Sequence, residues 1–146
     1  MYNQIPFKEE HLKPLMTQKI NAYLPEWVAN GHAKEMEKVY AFTGLWNGEV
    51  LVCGGITKTW PDRGFLWCIF SETSKRNFMP LFRGLTKFLE EQPFRRVEMA
   101  VPYDFAIGHR RAKMFGFEVE CQRARKFLPD GTDCTLYVRL KPEKGH

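Results

Sequence analysis

Apolar and polar positions change period several times along the chain, and each change marks an element. Residues 2–7 can form a short first strand. From Glu9 to Lys38 the period is helical, with Leu12, Leu15, Met16, Ile20, Tyr23 and Leu24 recurring at three- and four-residue steps. Pro25 breaks that run, and Trp27-Val28 opens a second short helix predicted to extend past Gly31. Val39–Trp46 and Glu49–Thr59 read as two strands joined at Asn47-Gly48, a pair that tolerates the positive φ angles of a type I′ hairpin turn. A turn over Trp60–Gly64 leads into Phe65–Phe70, an almost wholly apolar run that suits a central strand covered on both faces.

The second half alternates strand and helix. Polar residues Ser71–Asn77 precede a helix over Pro80–Glu91, whose face carries Leu81, Phe82, Leu85, Phe88 and Leu89. Pro80 fits the first helical turn, where its missing N–H costs nothing, and Pro93 closes the helix. Arg96–Val101 is a strand. Asp104 is placed to cap a helix that runs to about Phe115 and ends at Gly116. Phe117–Phe127 reads as a long strand with Phe117, Val119 and Cys121 on one face. Pro129-Asp130-Gly131 turns the chain into Cys134–Leu140, where Leu136, Val138 and Leu140 share a face, and Lys141–His146 reads as a frayed tail. A meander that flows into a strand–helix–strand crossover predicts a mixed sheet. The fold class is therefore α/β: a single domain over residues 1–146, with a mixed β-sheet of about seven strands flanked by helices.

Composition narrows this picture. The chain has 146 residues, 44% of them hydrophobic and 14% aromatic, which is enough to bury a core. Cys53, Cys68, Cys121 and Cys134 lie in strand-like runs without a CxxC pair, so free, buried thiols in a reducing compartment are expected. Met1–Pro6 carries no basic region followed by an apolar stretch, and no window approaches the roughly 20 apolar residues of a membrane span. A cytoplasmic protein without membrane association is the expectation. The net charge of +5 comes with basic clusters at Lys75-Arg76, Arg95-Arg96, Arg110-Arg111-Lys113 and Arg123-Arg125-Lys126. They fit a solvated surface, a phosphorylated cofactor or nucleic acid, although no nucleic-acid-binding motif accompanies them. No metal-ligand spacing joins His11, His32, His109 and His146.

Two segments carry a family resemblance. Phe65-Leu-Trp-Cys-Ile-Phe-Ser-Glu72 runs into the predicted third helix, and Ala112-Lys-Met-Phe-Gly-Phe-Glu118 closes the fourth with a Gly-Phe pair. In these segments and in element order the chain resembles the GNAT superfamily of N-acetyltransferases over nearly its whole length. The Leu66-Trp67 strand followed by the Lys75-Arg76 turn is similar to the small GNAT-like proteins of tailed bacteriophages. The resemblance implies acetyl-CoA as co-substrate and transfer of its acetyl group to a primary amine of a small molecule or protein. It places the pantetheine arm along Cys68, Ile69, Phe70 and Ser71, and the pyrophosphate at Ser74, Lys75, Arg76, Asn77 and Phe78. There, main-chain amides at a helix N-terminus and two cationic side chains can hold phosphate.

The chain also departs from that family. In Lys75-Arg-Asn-Phe78-Met-Pro80, Phe78 and Pro80 stand where the family's phosphate turn has small residues. Phe105 and Ala112 stand where many members carry Asn and an acidic Tyr. Acyl transfer to an amine needs one proton removed and one supplied. Glu72 and Glu98 are the candidate bases, Tyr103 is the candidate acid, and His109 is a further titratable group. The alternative is a phage-encoded, non-catalytic GNAT-fold protein that binds a host or virion protein.

Overall fold

The strands are β1 (Tyr2–Pro6), β2 (Tyr40–Trp46), β3 (Glu49–Trp60), β4 (Arg63–Phe70), β5 (Arg96–Pro102), β6 (Glu118–Ala124) and β7 (Cys134–Leu140). The helices are α1 (His32–Met36), α2 (Phe78–Glu91) and α3 (Ala106–Met114), with 3-10 turns at Glu9–Leu15 and Glu72–Lys75. These come from a computed structural model that describes residues 1–16, 29, 31–37 and 40–142. The strands form one mixed sheet in the order β1-β2-β3-β4-β5-β7-β6. β1–β2, β2–β3, β5–β7 and β6–β7 are antiparallel, and β4 runs parallel to β5. Residue contacts group the chain into two compact units, Met1–Thr57 with Leu66–Glu91, and Lys58–Phe65 with Gln92–His146.

In the first unit, Asn47 (φ 49°) and Gly48 (φ 84°) make the β2–β3 turn with both central residues at positive φ, as expected. Six consecutive residues of β3, Leu51–Ile56, are buried, so both faces of that strand are covered. On one side Phe7, Leu12, Leu15, Cys53 and Ile69 form a cluster, against which Met16, Met36 and Trp67 pack. On α2, the face of Leu81, Leu85, Phe88 and Leu89 is buried, and the Phe88 ring lies 4.7 Å from that of Phe42 on β2. α2 starts at Phe78, two residues earlier than expected, with Pro80 still inside its first turn.

The expected long first helix is corrected in part. Glu9–Leu15 is a 3-10 turn containing Pro14. That residue has no N–H to give an i→i−4 bond, and its ring crowds the preceding turn of an α-helix. The turn is fixed by side chains instead. His11 Nδ1 accepts the Lys8 N–H at 3.0 Å, and a Glu37 carboxylate oxygen accepts the Glu9 N–H at 2.8 Å. Because Nδ1 is an acceptor there, the Thr43 hydroxyl 2.7 Å away donates to it as well. Ile20, Tyr23, Leu24, Pro25, Trp27 and Val28 lie outside the described residues. Gly31 has φ 79° and caps α1, so the second helix does not run through it as expected but starts anew at His32.

The second unit holds β5, β7 and β6, the short parallel ladder Arg63–Phe65 with Arg96–Glu98, and α3. Asp104 does not cap α3. Phe105 N–H donates to the Pro102 carbonyl at 3.0 Å, so Pro102–Phe105 is a turn, and the helix starts only at Ala106. The other end follows expectation. Gly116 (φ 88°) donates to Lys113 O at 3.1 Å and Phe117 N to Ala112 O at 3.0 Å, which is a Schellman closure. β6 is shorter than expected because Lys126 turns to φ 52°. Its register slips at Val119/Cys121 and Cys121/Ala124; Phe117 is buried while Val119 is 43% exposed, so the expected common face is broken. Lys141 N donates to Arg95 O at 2.9 Å and its ammonium to Gln92 O, so the chain is tied down there and not frayed. Residues 143–146 lie outside the described residues.

One close approach sets the spacing in the first unit. A Cβ on Gly84 of α2 would stand 2.5 Å from Tyr2 Cε1 and 2.8 Å from Gln4 Oε1, and one on Gly44 of β2 would meet the Tyr2 hydroxyl and Val52. Ala is the better helix former by about 1 kcal/mol. Gly84→Ala is nevertheless expected to destabilise the protein, and to do so far less in a Tyr2→Ala background, with a coupling of about 0.5–3 kcal/mol in a denaturation double-mutant cycle. Additive effects would show that the slot does not hold the two layers. A second outcome concerns alkaline pH. Burial pushes the Cys53 thiol up to about 12, against a smaller opposing effect of the Thr43 hydroxyl. The folded pKa is raised, so the associated stability is complete below pH 9 and lost as pH rises towards 12. Over that window the wild type should lose stability faster than Cys53→Ala, by up to about 1.4 kcal/mol per pH unit.

Candidate active site

The segment from β4 to α2 carries the nine residues expected to meet the cofactor. β4 leaves the sheet at Phe70, and Ser71 N donates to Leu51 O of β3 at 2.8 Å. Main-chain groups alternate sides along a strand. Ser71 and Ile69 therefore face β3, and Cys68 and Phe70 turn their amides and carbonyls to the opposite edge. The Ser71 carbonyl is also engaged, by Ser74 N at 3.1 Å. The four residues expected along the pantetheine arm thus point their main-chain groups alternately toward β3 and away from it.

The turn itself is built from hydroxyls. Thr73 Oγ1 donates to a Glu49 carboxylate oxygen at 3.2 Å, so the 2.9 Å contact with Ser71 is a bond given by the Ser71 hydroxyl to Thr73. Ser71 and Ser74 are buried, whereas Lys75 and Arg76 are exposed beside the start of α2. First-turn amides of a helix lack an intrahelical acceptor and carry the positive end of its dipole. Pro80 supplies no amide to this set. Asn77 accepts the Leu81 N–H on its carbonyl at 3.5 Å, and the Phe78 ring stacks obliquely on Phe82 at 6.1 Å. Glu72 is exposed at the first position of the 3-10 turn.

In the second unit, three candidate groups have distinct surroundings. Glu98 accepts from Arg63 Nε at 2.9 Å and Arg96 Nε at 3.1 Å. Arg96 also grips Glu120, which holds that carboxyl below the usual range. Two guanidiniums engage this one carboxylate, which places Glu98 in an ion-pair cluster on the sheet. His109 has both ring nitrogens engaged. Nε2 lies 2.8 Å from the Tyr103 carbonyl, which only accepts, so this nitrogen carries the hydrogen, and Nδ1 accepts from the Tyr137 hydroxyl at 2.7 Å. The Tyr137 phenol is raised by burial, which suits a donor that stays protonated.

Tyr103 is the hub of this corner. Its N–H donates to Asp133 O at 2.9 Å, its carbonyl accepts from His109, and Arg123 stands 4.3 Å over its ring. Asp133 in turn accepts from Arg123 Nε at 2.8 Å and from the Lys126 N–H at 2.9 Å, and these bonds hold its carboxyl below the usual range. The backbone of Tyr103 is thus held on both sides, while no hydrogen bond engages its hydroxyl among the described residues. Sequence reasoning missed Arg123, Asp133 and Tyr137. They are brought to Tyr103 and His109 only by the β5–β7–β6 pairing, and no local pattern announces them.

A seven-stranded mixed sheet in this order, with a helix after β4 and another after β5, is the architecture of the GNAT acetyltransferases. No family model matches the chain, and no curated protein is significantly similar to it in sequence. Solved structures are similar in fold. The ribosomal-protein-S18-alanine N-acetyltransferase from Escherichia coli aligns over 100% of this chain and 99% of its own, at 13% identity and a TM-score of 0.70. A probable acetyltransferase from Staphylococcus epidermidis aligns over 97% and 100%, at 10% identity and a TM-score of 0.74. AAC(6')-Ib, solved in complex with acetyl-CoA, aligns over 96% and 93%, at 15% identity and a TM-score of 0.68.

None of the four cysteines is in a disulfide; Cys53 and Cys134 are buried, and Cys68 and Cys121 are half-buried. Titration of native protein with a thiol reagent should label Cys68 and Cys121 first and reach Cys53 and Cys134 only on unfolding. Uniform labelling of all four without denaturant would contradict this burial.

Proposed function

We propose that the protein is an N-acetyltransferase that moves the acetyl group of acetyl-CoA to a primary amine. The observation that carries this reading is the β4–α2 connection. Main-chain groups turned away from β3 at Cys68 and Phe70, beyond the short Arg63–Phe65 ladder to β5, lead through a buried serine turn to a helix N-terminus flanked by two exposed cations, Lys75 and Arg76. These features suit an extended amide chain that ends in a pyrophosphate. The bulk of Phe78 and the missing amide at Pro80 shift part of the phosphate binding from backbone to side-chain charge.

Acetyl-CoA supplies an acyl carbon activated as a thioester. When the amine nitrogen bonds to that carbon and the carbon–sulfur bond breaks, one proton leaves the amine and one reaches the departing sulfur. Tyr103 is the donor we assign, because its hydroxyl is uncommitted and its backbone is pinned by Asp133 and His109. The amine proton passes to water. His109 serves as a positioning residue. The second reading, a binding protein without transfer, draws on Ala112. This residue is fully buried on α3, so the family's usual acid position is closed by packing.

Calorimetry of the wild type should show acetyl-CoA binding, and Lys75→Ala/Arg76→Ala should weaken it by about tenfold or more. Absence of binding at millimolar acetyl-CoA would exclude the transferase. Tyr103→Phe should lower kcat by about 10²–10⁴-fold with acetyl-CoA affinity nearly unchanged; an unaltered kcat would remove Tyr103 and leave solvent as the donor.

A further inference from the structure

The net charge is not spread over the chain. Of 22 basic and 17 acidic residues, 13 basic and eight acidic ones fall in the second unit, and nine of each in the first. The whole excess of +5 therefore belongs to the unit that carries Tyr103. Within it, four of the eight carboxylates are already engaged with cations: Glu98 and Glu120 with Arg63 and Arg96, Asp62 with Arg95, and Asp133 with Arg123, Asp133 also accepting the Lys126 N–H. Arg110, Lys113 and Lys126 have no ion-pair partner among the described residues. Arg110 and Lys113 are three positions apart and lie, with Met114, on the exposed stripe of α3. Arg125 and Lys126 follow β6 directly, and Lys126 is fastened through Asp133 to the corner where Tyr103 sits.

We propose that this surface holds an acidic polypeptide segment, and that the acetyl acceptor is an amine on that segment. The proposal rests on the transferase reading for the word acceptor, but the binding surface stands on charge alone. A field of uncompensated cations beside a reaction centre raises the local concentration of anionic partners. Among polyanions, a polypeptide also offers an aliphatic amine, at its N-terminus or on lysine, that is nucleophilic once deprotonated. The exocyclic amines of nucleic acid bases are conjugated with the ring and are poor nucleophiles. An acidic segment thus satisfies both requirements of the site, and Phe105 and Phe127, each more than one-third exposed, give its apolar side chains a place to rest.

The test uses the full-length protein and three ten-residue peptides with a free N-terminus and a C-terminal fluorophore: one rich in Glu, one neutral, one rich in Lys. Fluorescence anisotropy without acetyl-CoA should show the Glu-rich peptide binding at least tenfold more tightly than the others, with affinity falling as salt rises. Arg125→Glu/Lys126→Glu should weaken it about tenfold while leaving the circular dichroism spectrum and acetyl-CoA affinity in place. Arg110→Glu/Lys113→Glu on the other element provides an independent variant. Equal binding of the three peptides, indifference of both variants, or tighter binding of a single-stranded RNA decamer would overturn the proposal. If the Glu-rich peptide binds as expected but is not acetylated and acetyl-CoA does not bind, the surface stands and the transferase reading falls. If acetyl-CoA binds and the Lys-rich peptide is the better acceptor, the transferase stands and this inference falls.

Discussion

Everything in the first unit depends on how closely α2 can lie over β1 and β2. The Tyr2 side chain fills the space between them, and it fits because neither Gly44 below nor Gly84 above carries a Cβ. Burial raises the Tyr2 phenol to about 12, with the Cys68 thiol as a lesser cause, and its hydroxyl is given to Gln4 Oε1 at 2.8 Å. A neutral, hydrogen-bonded tyrosine is therefore the spacer. It sets the height of α2, and with it the position of the helix start beyond the end of β4, where Lys75 and Arg76 emerge. The chemistry proposed for that turn is thus tied to a contact near the middle of the same helix.

Local chemistry made much of the fold legible. Asn47-Gly48, the apolar run of β4, the α2 stripe and the Gly116-Phe117 closure each act through neighbouring residues, and each is where the sequence places it. The differences lie where longer-range effects override local signals. Asp104 is a good capping residue, yet the β5 strand continues to Pro102 and draws it into a turn. Leu12 and Leu15 keep helical spacing, but Pro14 between them tightens the backbone into a 3-10 form while both leucines stay buried. Val119 alternates correctly in sequence yet is exposed, on an outermost strand whose register slips only its partner reveals.

The candidate site was legible to a different degree in its two parts. The turn before α2 is continuous in sequence, so its basic and hydroxyl residues could be named in advance. Glu49 and Leu51, which hold that turn in place, come from the hairpin at least 20 residues earlier. The Tyr103 corner is the stronger case. Its phenol and imidazole were candidates, but what separates Tyr103 from His109 is that one hydroxyl is left open and both ring nitrogens are occupied. The imidazole is occupied by Tyr137, 28 residues from His109, and by the Tyr103 carbonyl, while Asp133, 30 residues away, holds only the Tyr103 backbone. No reading of spacing could supply that difference.

The slipped register of β6 has a consequence for how the molecule meets copies of itself. β6 is an outermost strand, and such strands can template further strands through their unpaired amides and carbonyls. Two irregularities within seven residues put those groups out of step with any regular partner, and Glu118, Glu120 and Arg123 add charge along the same border. A crowded solution of this protein is accordingly guarded on that side against ribbon-like stacking into fibrils, even though Val119 exposes an aliphatic side chain there.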